Sequence, residues 1–146
     1  MRLPFTHLLS AADRKRIVAA IRTAEQMTSG EIRVHVQPRC GEDPICEATR
    51  VFERLGMTRT AERNGVLIFL ALRDRRFAVI GDTGIHTAVG DEFWQQIADA
   101  MTAHFARGEL AAGLEAGVLA IGEALQRHFP HRRNDTNELP DTISEV

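Results

Sequence analysis

Lysine is nearly missing from this chain of 146 residues: Lys15 is the only one, and the other basic residues are arginines. The arginines, at 14, 16, 22, 33, 50, 54, 73, 75 and 76 among others, are spread over several predicted elements, and the formal net charge is -2. A nucleic-acid footprint needs basic residues gathered on one face with an overall positive balance, so nucleic acid is not an expected partner. Cysteine is scarce too. Cys40 and Cys46 lack the Cys-x-x-Cys spacing of redox motifs and have no histidines beside them in sequence, so a zinc site is not expected. Free thiols are the expectation in a reducing compartment. No segment reaches the roughly 18 apolar residues of a membrane-spanning helix, and direct membrane insertion is not expected. The opening Met1 to His7 lacks an apolar core followed by a small-residue cleavage site, which makes cytoplasmic residence the expectation. Internal repeats, a Gly-x-Ser-x-Gly elbow, a Walker loop and a His-Glu-x-x-His pair are absent as well.

What is present is a clear strand–turn–strand. Val66 to Leu72 is continuously apolar, the mark of a strand covered on both faces. A charged turn, Arg73-Asp74-Arg75, leads to Phe77, Val79 and Ile80, and the second strand ends in a small polar loop, Gly81-Asp82-Thr83-Gly84. Upstream, Glu31 to Gln37 alternates with period two: Ile32, Val34 and Val36 face one way, Glu31, Arg33, His35 and Gln37 the other. That pattern predicts a half-exposed strand. Ser10 and Asp13 signal the start of a first helix, with Ile17, Ile21, Ala24 and Thr28 as its apolar stripe and Gly30 as its terminator. Asp43-Pro44 opens a second helix, whose buried face is Ala48, Val51, Phe52 and Leu55. Further helices are expected from about Gly90 to Phe105 and from Glu109 to His128. Gly113 and Gly117 in the last one allow close packing.

Strand–helix–strand implies a right-handed parallel crossover, and the hairpin adds an antiparallel strand. The expected fold is therefore an α/β three-layer sandwich, a mixed sheet with helices on both faces. It forms one domain over residues 1–130, followed by a polar tail at 131–146, in which Leu139 and Ile143 are placed to meet a neighbouring surface. That surface belongs either to the parent domain or to a protein partner.

If the first two strands are parallel, Glu31 and the Glu62-Arg63-Asn64 step share one end of the sheet, and the third strand delivers Asp82 and Thr83 to it. Asp91, at the start of the next helix, follows soon after. Glu31, Glu62, Asn64, Asp82 and Asp91 offer hard oxygen donors that suit calcium or magnesium. Alternatively Arg63, with the amides of Thr83 and Gly84, could receive a small anion. Each residue also has a structural reading: Asp82 and Asn64 as turn residues, Asp91 as an acid in a first helical turn, Glu31 in a surface ion pair. His86 is a candidate base, with a solvated or structural histidine as its alternative.

Taken in order, Thr28-Ser29-Gly30-Glu31-Ile32-Arg33-Val34, Asn64-Gly65-Val66-Leu67-Ile68, Gly81-Asp82-Thr83-Gly84-Ile85 and Phe105-Ala106-Arg107-Gly108-Glu109 with Gly113 resemble the TPM domain family from about Ser10 to Phe129. The resemblance implies a Rossmann-like sandwich, a divalent-cation site as in some members, and the acid phosphatase activity attributed to a thylakoid relative; other members have no assigned activity. Two departures stand out. Where the family often has Gly-Tyr-Gly-Leu-Glu this chain has Gly81-Asp82-Thr83-Gly84-Ile85-His86, and the acid often found before Asn-Gly is Arg63, with Glu62 one place earlier. A cationic residue there opposes a calcium site and favours an anion.

Overall fold

The computed structural model describes residues 9–131 and 143–145. Its centre is the strand β2 (Gly65–Ala71), paired parallel with β1 (Glu31–Gln37) and antiparallel with β3 (Arg76–Gly81). Every residue of β2 is buried, because its two faces feed two cores. Val66, Ile68 and Leu70 join Ile17, Ile21, Met101, Leu114 and Ile121 under α1 (Ala11–Glu25), α4 (Asp91–Ala106) and α5 (Leu110–His128). Leu67, Phe69 and Ala71 join Val51, Phe52 and Met57 under α2 (Pro44–Arg54) and the 3₁₀ turn Met57–Arg59. The expected mixed sheet with helices on both faces is what the chain forms.

The helix starts follow the sequence signals. Ser10 and Asp13 complete a capping box, and Asp43 caps α2 ahead of Pro44. Gly117 lets α5 lie against α4: a Cβ there would sit 2.7 Å from Met101 Sδ.

Three elements differ from the sequence expectation. Residues after Asp82 form α3 (Thr83–Val89) rather than a polar loop. Two threonines and a glycine make this a poor helix by propensity, and tertiary contacts supply what is missing: Ile85 is fully buried and the amides of Gly84 and Ile85 donate to the Arg63 carbonyl. β1 is not half-exposed. Most of its polar side chains are enclosed, and a short chain of bonds runs through them: His35 Nε2 meets Gln37 Oε1 at 2.8 Å, and Gln37 donates to Glu47 of α2 at 3.1 Å. Finally, Ile143–Glu145 forms β4, parallel to β1 at the outer edge, giving the order β3-β2-β1-β4. Ile143 packs against the first core; Leu139 lies outside the described residues.

Candidate functional site

Register gathers the polar residues. Glu31 pairs with Gly65 and Gly81 with Val66, so the start of β1, the approach to β2 and the end of β3 meet at one end of the sheet. The backbone ties them further: Glu31 N–H donates to the Asn64 carbonyl and Asp82 N–H to that of Gly65.

Asp82 is an enclosed charge, its side chain only 4% exposed. It caps α3 through Thr83 N–H at 2.7 Å and receives Arg63 in a two-pronged contact, Nε to Oδ2 at 2.7 Å and Nη2 to Oδ1 at 2.8 Å. These hydrogen bonds, then the charge of Asp82, raise the Arg63 pKa. Arg63 itself sits at the mouth, 48% exposed, with φ 53°, a left-handed conformation uncommon for a residue with a side chain. That conformation turns its carbonyl toward α3, where Gly84 N–H donates to it at 2.8 Å. The approach admits only glycine: a Cβ at Gly84 would stand 2.6 Å from the Arg63 carbonyl oxygen and closer still to that of Glu62.

Beside this pair lies a second cluster. Ser29 Oγ donates to Glu62 Oε2 at 2.8 Å, and Asn64 Nδ2 donates to Ser29 Oγ at 3.2 Å. Asn64 is buried, its N–H held by Thr60 Oγ1, and no hydrogen-bond donor among the described residues reaches its Oδ1. A buried carbonyl oxygen left in this state is costly, and it suits a hard cation.

The structure thus brings together Glu31, Glu62, Arg63, Asn64, Asp82, Thr83 and Gly84. Asp91 does not join them. Seven residues of α3, about 10 Å of helix at 1.5 Å per residue, separate it from Asp82. Its side chain is 98% exposed and faces His86 Nε2 at 3.4 Å. His86 Nδ1 accepts from Trp94 Nε1 at 3.0 Å, which leaves the imidazole proton of the neutral ring on Nε2, toward Asp91. The amides of Thr83 and Gly84, expected as anion donors, are spent on Asp82 and on the Arg63 carbonyl. Among the described residues no three His, Cys, Asp or Glu side chains stand close enough to hold a metal by themselves. A cation at this end would therefore draw on amide and hydroxyl oxygens as well as carboxylates. Sequence reading passed over Ser29 and Thr60 as participants; their position beside Gly30-Glu31 and ahead of Asn64 carries no chemical signal of its own.

An α/β sandwich with a charged cluster at the amino ends of its parallel strands is the class these features define. The TPM domain profile matches residues 4–124, and the chain belongs to that family. Among solved structures, the NMR structure of BA42 from the psychrophilic bacterium Bizionia argentinensis is 42% identical, covering 95% of this chain and 96% of its own, with a TM-score of 0.89. An N-terminal domain from P. gingivalis is 28% identical over 86% of this chain and 83% of its own, with a TM-score of 0.68. The N-terminal domain of cg2496 from Corynebacterium glutamicum, 18% identical over 97% of this chain and 83% of its own at a TM-score of 0.65, shares the fold. No curated protein matches the chain.

Proposed function

We propose that this chain is a ligand-binding domain that takes a divalent cation, calcium or magnesium, at the Glu62–Asn64–Asp82 end of its sheet, in competition with Arg63. The observation that carries this reading is the state of Asp82. A carboxylate so enclosed requires a positive charge, and the one it has belongs to a half-exposed guanidinium at the mouth of the site. A cation arriving there displaces a tethered group that solvent readily accepts. Glu62, the Ser29 hydroxyl and Asn64 Oδ1 stand beside it as further oxygen donors. With few carboxylates and a competing arginine, affinity is weak.

Phosphomonoester hydrolysis, which the family resemblance raises, gains less support. It needs a positioned acid–base group near the phosphate, and His86 is turned to Trp94 and Asp91 instead. The test is a calcium titration followed by amide NMR on the parent and on Arg63→Gln. Shifts clustered at 62–64 and 81–86 at about millimolar metal, the weak end of calcium sites, are the expected result. The variant should saturate at lower metal than the parent. Scattered shifts, or a variant that binds no better, would overturn the reading.

A further inference from the structure

The polar layer along β1 holds a titratable group that the cation site does not use. His35 is 2% exposed and its ring stacks on Phe69 of β2, centroids 6.0 Å apart. Its tautomer is fixed by Gln37. The Gln37 side-chain nitrogen donates to the Arg39 carbonyl at 2.7 Å and to Glu47 Oε2 at 3.1 Å, two acceptors that only an N–H can serve. Oε1 is therefore the atom that meets His35 Nε2 at 2.8 Å, and the imidazole proton sits on Nε2. Nδ1 is left as a bare lone pair, buried and without a hydrogen-bond partner among the described residues.

A second proton would turn Nδ1 into a donor with no acceptor, in a place closed to water. The neighbours do little to help. Arg54 of α2 and Arg33 of β1 oppose an imidazolium; Glu47 of α2 favours one but already accepts from Gln37 and Arg50. Phe69 of β2 and Ser144, which β4 sets opposite His35 in register, are uncharged. Burial first, and then the arginines, hold the His35 pKa below 6.5. A charged ring is relieved only if water reaches it, and its covers differ in how readily they leave. α2 is anchored in the second core by Ala48, Val51 and Phe52, and β2 is the central strand. β4 is three residues on the outer edge, with Ile143 and Ser144 only half-buried, held by pairing to Val34–Val36 and by Arg33 Nε donating to Ser144 Oγ at 2.7 Å. So short an edge belongs to the low end of local opening.

We propose that β4 is an acid-released latch: protonation of His35 frees Ile143–Glu145 from β1 and bares the outer edge of β1 while the rest of the domain stays folded. The neutral ring suits the closed latch, and the released ring regains water and its ordinary value of 6.5. The latch is therefore closed above 6.5, and its opening constant rises as pH falls from there toward the depressed value of the closed state.

The experiment is amide hydrogen exchange by NMR on the isotope-labelled full chain between pH 7.5 and 5, read as protection after removal of the intrinsic pH dependence. Amides joining 34–36 to 143–145 should be less protected than those of 66–70 at every pH. Their protection should fall about tenfold per pH unit below 6.5, the slope of one proton taken up on opening. Ring nitrogen shifts of His35 follow its titration in the same samples. Ile143→Ser, which loosens the latch at its apolar contact, should move that midpoint up toward 6.5, a change that a ring covered by α2 alone would not show. Edge protection that does not vary with pH, edge protection equal to that of 66–70 throughout, or a His35 midpoint unmoved by Ile143→Ser would each overturn the proposal.

Discussion

Gly84→Ala sets two physical effects against each other at the candidate cation site. Gly84 lies inside α3, and its backbone is not in the left-handed region, so helix propensity alone favours alanine by about 1 kcal/mol. The close approach opposes this. The added methyl would come within 2.6 Å of the Arg63 carbonyl oxygen and nearer still to that of Glu62, both backbone atoms with little room to yield. Relief requires α3 to lift from the loop before β2, stretching the Gly84 N–H bond to Arg63 and loosening the turn that aims Arg63 at Asp82. Overpacking costs about 1–3 kcal/mol, and contacts this short on two backbone oxygens belong at its upper end, about 2–3 kcal/mol, so the net loss is about 1–2 kcal/mol. For a domain of this size the net loss corresponds to a fall in Tm of about 2–6 °C. Thermal unfolding by circular dichroism measures it, with urea midpoints as a second reading. A variant as stable as the parent, or more so, would refute the claim that this contact fixes the site.

Two further outcomes follow from the buried groups. His35 is 2% exposed, and burial holds its pKa below the ordinary value of 6.5. The folded state thus binds fewer protons than the unfolded one as pH falls; stability is full above 6.5 and declines as pH drops from there toward the depressed folded value. Urea midpoints from pH 7.5 to 5 should show that decline, and His35→Gln should flatten it; an equal slope in the variant would place the dependence elsewhere. The two thiols should separate in reactivity. Cys46 is exposed, whereas Cys40 is buried with its pKa raised, first by burial and then by Asp74, so a thiol reagent should label Cys46 promptly and Cys40 only on unfolding; matched rates would contradict the packing around Cys40.

The fold was readable where a pattern had a single physical solution. The unbroken apolar run at 66–72 has no amphipathic alternative, and it became the doubly covered central strand. Asp43-Pro44 and Ser10 act locally as caps, and they started helices as such residues do. The reading failed where tertiary contacts outweighed local preference. Alternation in β1 announces one wet face, yet α2 covers that face, and Gln37 links His35 Nε2 to Glu47 in a polar layer beneath it. α3 has weak propensity, and what holds it is a carbonyl of Arg63, distant by about twenty residues in sequence. The convergence of Glu31, Asn64 and Asp82 followed from topology, since parallel strands align their starts. That Arg63 would grip Asp82 with both prongs did not, because a side-chain partner depends on a φ angle that the sequence does not display.

β4 has a bearing on assembly of the chain in time. The β2–β3 hairpin joins neighbours in sequence, and β1 reaches β2 across a single helix, whereas Val34 and Ile143 are brought together from nearly opposite ends of the chain. Contacts of such long separation form late, after local pairings have made closure worthwhile. Until then the outward N–H and C=O groups of β1 around Val34 to Val36 are an open template, the kind of edge on which partly folded copies pair with each other. Three residues of β4 close it. Their service to the molecule thus begins only as the native state is completed, and in the moments before it concentration and temperature decide between folding and aggregation.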